Sequence, residues 1–181
     1  MSMINVMRRL IILSTIFFIS ITTSAEYALV ADYVIDGKSD NPLKNKVILV
    51  SGKKIVSIID IDAIPEKYTV INLPETTLMP GMVNAHEHPL LYQSDYQNGH
   101  LQASSAFKAL IGLKTLQRLL ASGWTSIRVM GDGDIYYANQ DIRKAIDRDM
   151  FLGPRLTGAA HYISITGGGG DINYLSPEQA V

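Results

Sequence analysis

Leu78-Met79-Pro80-Gly81-Met82-Val83-Asn84-Ala85-His86-Glu87-His88-Pro89-Leu90 is the stretch that decides how the chain is read. It is apolar up to two histidines one residue apart. Side chains along a strand alternate with a period of two, so His86 and His88 project to one face. Pro89 has no backbone N–H and is expected to end the strand. Two imidazoles on one face at a strand's C-terminal tip make half of a metal site, because a catalytic zinc takes three protein ligands and keeps one open position. A His-x-His pair by itself is more often not a ligand pair. Glu87 does not turn it into the helical zinc motif, which places its second histidine four residues after the first, and position 90 is leucine.

Downstream, the period changes. Tyr92 to His100 is polar and reads as a loop over the strand end. From Leu101 to Ser122, the residues Ala106, Leu110, Leu113, Leu116 and Leu120 recur every three or four positions, one apolar stripe of a helix. Gly123 stands where a glycine stops a helix. Trp124 to Met130 reads as a strand, Asn139 as the cap of a second helix carrying Ile142, Ala145 and Ile146, and Leu156 to Ala160 as a third strand. Alternating strands and helices imply parallel strands with crossover helices. A ligand pair at the C-terminal end of the first strand favours a (β/α)₈ barrel over an open doubly wound sheet, whose phosphate-binding loop is missing.

Upstream, Tyr27 to Ile35, Asn45 to Val50, Lys54 to Asp60 and Val70 to Leu73 are β-like runs. Asp36-Gly37 and Ser51-Gly52-Lys53 are turns between them, and Thr76 to Met79 leads into the His-x-His strand. Further back, Arg8 and Arg9 precede the apolar run Leu10 to Ile21 and the small residues Thr22-Thr23-Ser24-Ala25. This is the pattern of a secretory signal peptide, with the mature chain beginning near Glu26. The apolar run falls short of the about 20 residues that span a bilayer, so no stable membrane anchor is expected.

Composition excludes several classes. Of 181 residues, 47% are hydrophobic and 18% charged, with a net charge of −1, which gives no basic surface for nucleic acid. There is no cysteine, hence neither a disulfide nor a lipid-modified cysteine. Four histidines and no thiols are too few for a metal-carrying envelope protein.

The string LMPGMVNAHEHPLL resembles the first barrel strand of the amidohydrolase superfamily, where Leu-x-Pro-Gly-hydrophobic-hydrophobic-Asp/Asn-x-His-x-His recurs. The upstream runs are similar to the N-terminal half of the small β-sandwich that these proteins carry. The stretches ASGWTSIRVMGDGD and GPRLTGAAHYISITGGGGD resemble the imidazolonepropionase-like and Xaa-Pro dipeptidase-like members. Those members have a Thr-Gly-Gly-His-Gly-Asp-like loop. Here it is Thr166 to Asp171 with Gly169 in the histidine's place, so no substrate contact is assigned there. The glycine run lacks the spacing and the Gly-Lys-Ser/Thr ending of a phosphate loop.

The resemblance implies an α/β chain: signal peptide over 1–25, part of a small β-sandwich over 26–78, and about the first three units of a (β/α)₈ TIM barrel over 79–181. It implies hydrolysis of C–N bonds (amide, cyclic amide or dipeptide) in a small-molecule or dipeptide substrate by a metal-activated hydroxide. His86 and His88 would hold a divalent metal, Zn²⁺ above all, with one or two ions in a complete protein. The family's further ligands, a carboxylated lysine or glutamate, two histidines and an aspartate, come from later strands. A barrel takes about 250 residues, so the chain is expected to be an N-terminal portion, inactive alone. Ser176-Pro177-Glu178 reads as the start of a further helix. A degenerate relative with at most a binding role is the alternative. No catalytic residue and no oligomeric state are assigned.

The remaining polar residues have plainer readings. His100 is expected to be exposed and His161 to pack in a loop; Asp132 and Asp134 point to the catalytic face if the barrel reading holds, and otherwise are solvated or cap turns. Asp171 is expected to serve loop structure. Arg128 is left between an ion pair and a substrate role.

Overall fold

The computed structural model describes residues 25–91, 99, 102–166, 168 and 170–171. Most of the expected signal peptide, the stretch from Tyr92 through Leu101 apart from Gly99, the glycines Gly167 and Gly169, and the expected helix start at Ser176 lie outside them. The chain divides into two compact units, Met1–Met79 and Pro80–Val181.

The first unit is a four-stranded sheet of β1 (Glu26–Val34), β2 (Lys46–Ser51), β3 (Lys54–Asp60) and β4 (Thr69–Leu78), in the order β3-β2-β1-β4. The β2–β3 and β1–β2 pairs are antiparallel, and β4 runs parallel to β1. Gly52, at φ +57, makes the β2–β3 turn. Val47 and Leu49 alternate inward along β2 and pack with Ala28, Val30, Ile59, Ile64 and Tyr68. The two apolar runs at 70–73 and 76–79 are one strand and not two. Pairing passes from Ala31↔Leu73 to Tyr33↔Thr77, so β4 bulges outward between them. Pro74 has no N–H to give the ladder, Glu75 sits at φ +58, and the Thr76 hydroxyl donates to the Leu73 carbonyl at 2.6 Å.

The second unit is a three-stranded parallel sheet, β5 (Met82–Glu87), β6 (Trp124–Met130) and β7 (Arg155–Ala159), in that order. Helix α1 (Ser105–Ala121) connects β5 to β6, and α2 (Ala138–Asp147) connects β6 to β7. Leu90, Leu116, Ile127, Ala138, Ile142 and Leu156 form the buried layer between helices and sheet. Full burial of a side chain the size of Leu116 or Ile127 stabilises by about 1.5–3 kcal/mol.

The inward face of α1 differs from the stripe expected from the sequence. Ala106 and Leu110 are exposed, while Lys108, Gly112 and Leu116 are buried, flanked by Ala109, Leu113 and Leu119. The cause is Gly112. A Cβ there would stand 2.6 Å from Leu90 Cδ2 and 2.8 Å from Ile142 Cδ1, so the helix meets its neighbours along the glycine. A second expectation also fails. Asn139 does not cap α2; it lies in the first turn, 2% exposed, and donates to the carbonyls of Ala159 and Ala160. The helix start is capped by Asp134, whose Oδ2 accepts the Ala138 N–H at 3.0 Å.

Parallel strands joined through helices packed on one face are the opening units of a (β/α)₈ barrel. The fold is α/β: a partial barrel preceded by part of a small β-sandwich.

Candidate metal centre

His86 is the penultimate residue of β5 and His88 follows its end. In the described sheet β5 is an edge strand and not a central one. The ladder to β6 is interrupted between Asn84 and Glu87, so the backbone N–H groups of both histidines need other partners. Nearby side chains supply them. Asn84 Oδ1 accepts the His86 N–H at 3.0 Å, and Glu87 Oε1 accepts the His88 N–H at 3.1 Å. Asn84 Nδ2 then donates to Glu87 Oε2 at 2.6 Å and locks the two braces together. Glu87 is thereby committed to the backbone.

The two rings converge on the same side. Their Nε2 atoms are 3.1 Å apart, with centroids at 5.0 Å and planes at 74°. Two nitrogens held by one tetrahedral zinc at about 2.0–2.1 Å lie about 3.3 Å apart, so the pair fits such an ion with little adjustment. The tautomer of His88 is fixed from behind. Its Nδ1 is 2.7 Å from the Gly131 carbonyl oxygen, which can only accept. Nδ1 therefore carries the proton and Nε2 its lone pair, the arrangement that metal-binding histidines usually take from an outer partner. Tyr162 Oη also lies 2.8 Å from Nδ1. His86 is exposed and His88 half-buried. Among the described residues no group of three or more His, Asp or Glu is arranged around one ion position.

The other ionisable residues are arranged differently. Asp132 and Asp134 follow β6 and do cap local N–H groups, as one of their expected readings has it, but they are not solvated: they are 0% and 2% exposed. Asp132 accepts from the backbone of Leu90 and Gly133. Burial pushes its carboxyl up to about 7; the N–H groups of Gly133 and Leu90 oppose this, and the charges of Glu87 and Asp134 add to it. Asp134 accepts from Ser105 Oγ and from the N–H groups of Tyr136 and Ala138. Its other oxygen is 3.7 Å from the buried ammonium of Lys108. It pins the β6 exit to the start of both helices. Arg128 is exposed on the face of β6 opposite Ile127 and Val129. The His161 ring lies edge-on to Tyr137 at 4.2 Å. Asp171 donates its N–H to the Gly168 carbonyl within the loop. His100 and Gly169 lie outside the described residues.

Sequence reasoning did not find Asn84, Gly131 or Tyr162 as partners of the pair. Asn84 was within its reach: a short amide side chain two residues before a backbone N–H is an Asx-turn signal. Tyr162 is 74 residues from His88, and nothing local announces it.

The class that the fold defines is that of the parallel (β/α)₈ barrels, here with two imidazoles at the C-terminal tip of the first strand. The chain belongs to the Amidohydrolase family, which it matches over residues 77–180. It is 27% identical over 176 residues to an ochratoxinase of Aspergillus niger, covering 93% of this chain and 34% of that protein. The crystal structure of the A. niger ochratoxinase superposes with a TM-score of 0.64 at 25% identity, over 84% of this chain and 35% of the other. A Xaa-Pro dipeptidase crystallised with methionine in its active site superposes with a TM-score of 0.71 at 25% identity, over 87% and 39%. The chain thus spans about a third of the length of the curated relatives it matches. The superfamily generally uses divalent metals.

Proposed function

We propose that the chain forms the first part of an exported, metal-dependent hydrolase of C–N bonds, with His86 and His88 holding a divalent metal, zinc by preference. The observation that carries this is the pair of Nε2 atoms 3.1 Å apart, one of them stripped of its proton by the Gly131 carbonyl behind the ring. Imidazole suits zinc among the common metals. A zinc there would supply Lewis acidity and would lower the pKa of a bound water toward neutrality. The chain's own residues do the rest of the work at this end of the barrel. His86 and His88 bind, Gly131 holds the proton on Nδ1, and Asn84 and Glu87 hold the strand tip rigid. The substrate class is an amide, cyclic amide or dipeptide of small size, on the strength of the ochratoxinase and dipeptidase relatives. Activity belongs to the protein completed by further β/α units, and the 181 residues alone are expected to bind zinc weakly and to turn nothing over. Export rests on the signal-peptide pattern of Met1 to Ala25, and N-terminal sequencing of envelope material should find Glu26 or a near neighbour first.

Calorimetric titration of the chain with zinc tests the centre. Binding should be present in the wild type and absent in His86→Ala and His88→Ala. Equal binding in all three chains would place the metal elsewhere. In a protein extended along the same reading frame, zinc-dependent cleavage of a dipeptide panel should disappear with either substitution. Zinc binding without turnover there would favour a non-catalytic relative.

A further inference from the structure

After His88 the first backbone donor is Leu90, because Pro89 has no N–H. Pro89 and Leu90 are both fully buried, and the ladder to β6 has ended at Glu87↔Val129. A buried N–H without a partner is costly. Asp132 provides one. Both of its carboxyl oxygens lie 3.2 Å from the Leu90 nitrogen, and Oδ1 also accepts its neighbour Gly133 at 3.0 Å. The residue just before it, Gly131, gives its carbonyl to His88 Nδ1 at 2.7 Å. Gly131 and Asp132 therefore grip the exit of β5 at two points: the His88 ring and the backbone two residues on.

We infer that Asp132 is a positioning residue of the metal centre: by holding the Leu90 N–H it keeps the Gly131 carbonyl on His88 Nδ1, which leaves the Nε2 lone pair for the ion. Tyr162 makes this grip consequential. Its hydroxyl, 2.8 Å from the same Nδ1, can donate where the carbonyl cannot. With Gly131 withdrawn, the phenol O–H donates to Nδ1, the ring proton moves through solvent to Nε2, and the ring presents the wrong tautomer. Gly131 also has little freedom on its other side. It sits at φ +98, and a Cβ on it would stand 2.8 Å from Tyr162 Cδ1 and 3.0 Å from the His161 carbonyl carbon. The inference rests on the ligand reading of His86 and His88 for its effect on metal, but its claim about the His88 tautomer stands on the metal-free chain alone.

The test uses the full 181-residue chain, ¹⁵N-labelled and metal-free, at about pH 8, above the imidazole range. Long-range ¹H–¹⁵N correlation should show His88 protonated on Nδ1 in the wild type. In Asp132→Ala the proton should shift toward Nε2, and zinc affinity should fall by about 10–100-fold. Asp132→Asn keeps Oδ1 as an acceptor and should rescue most of both, with a small displacement of the same sign. A folded Asp132→Ala chain with the wild-type His88 pattern overturns the inference, whatever its stability. Should the alanine variant not fold, Asp132→Asn decides, and the complete absence of displacement there overturns it equally. A wild type with the expected tautomer but no zinc binding would sink the metal-centre reading, and the alanine spectrum would still decide the role of Asp132.

Discussion

At the exit of β5 the imidazoles of His86 and His88 stand outward, one exposed and one half-buried, and their backbone is held by Asn84 and Glu87. At the exit of β6 the carboxyls of Asp132 and Asp134 are turned into the packed layer, at 0% and 2% exposure. Both loops leave the same end of one parallel sheet; the first carries two imidazoles beside Glu87, the second two carboxyls. The difference lies in what the groups bind. The Nε2 atoms of the histidines face each other at 3.1 Å, close to the separation that one bridging ion would need. The aspartates spend their lone pairs on buried N–H groups and on Lys108. At this end, the proposed ligands and their supports are separate residues, and exposure distinguishes them.

The contrast is broken most severely at Asp134. Its carboxyl meets Ser105, the Tyr136 and Ala138 N–H groups, and an ammonium on a lysine that is 7% exposed. Asp134→Ala leaves that ammonium buried and unpaired, and removing one partner of a buried pair destabilises by about 3–5 kcal/mol. Urea unfolding of the two chains measures it. A loss below about 1 kcal/mol would mean that Lys108 escapes to solvent and that the pair is a surface contact in practice.

Asp132 offers a pH-dependent version of the same test. Its carboxyl stands at about 7 in the fold against an ordinary value of 3.8, raised by burial and by the charges of Glu87 and Asp134. The folded value is the higher one, so between these limits the fold keeps a proton that the unfolded chain has released. Stability should therefore be greatest below the lower value, fall as pH rises through the window, and level off above about 7. At 1.36 kcal/mol per pH unit the fall amounts to at most about 4 kcal/mol. Other groups titrate in this range, so the quantity to compare is the slope of unfolding free energy against pH in wild type and Asp132→Asn. The wild-type slope should be the steeper downward. Matching slopes would show that the N–H groups of Leu90 and Gly133 keep the carboxyl ionised throughout.

How much of this could be read beforehand follows from range. Alternation in β6, the glycine stop at Gly123 and the shared face of His86 and His88 are local properties of a few consecutive residues, and the strands and the pair were legible in them. The (β/α) order followed from the change of period on either side of Pro89. The inward face of α1 was not legible, because it is set by Leu90 and Ile142 closing on Gly112, contacts between segments distant in sequence. Asp132 and Asp134 looked like loop carboxylates for the same reason: their partners Leu90, Ser105 and Lys108 lie 42, 29 and 26 positions upstream. The Gly131–His88–Tyr162 contact joins the exits of three strands and exists only once the sheet has formed.

The smallest effect on stability is expected where the effect on function should be largest. His86 is exposed, its ring meets only the ring of His88 among the described residues, and its backbone N–H is satisfied by Asn84 whatever side chain it carries. His86→Ala should thus change unfolding free energy by no more than about 0.5 kcal/mol, the usual range for surface substitutions. The same chain should lose its zinc-binding heat, because one imidazole cannot hold the ion that two hold weakly. A ligand residue is defined by this separation of stability from binding, and Asp134→Ala should show the reverse. Urea unfolding and zinc calorimetry on one preparation of His86→Ala measure both quantities. A stability loss above about 1.5 kcal/mol would make His86 part of the scaffold and erase the distinction between the two exits.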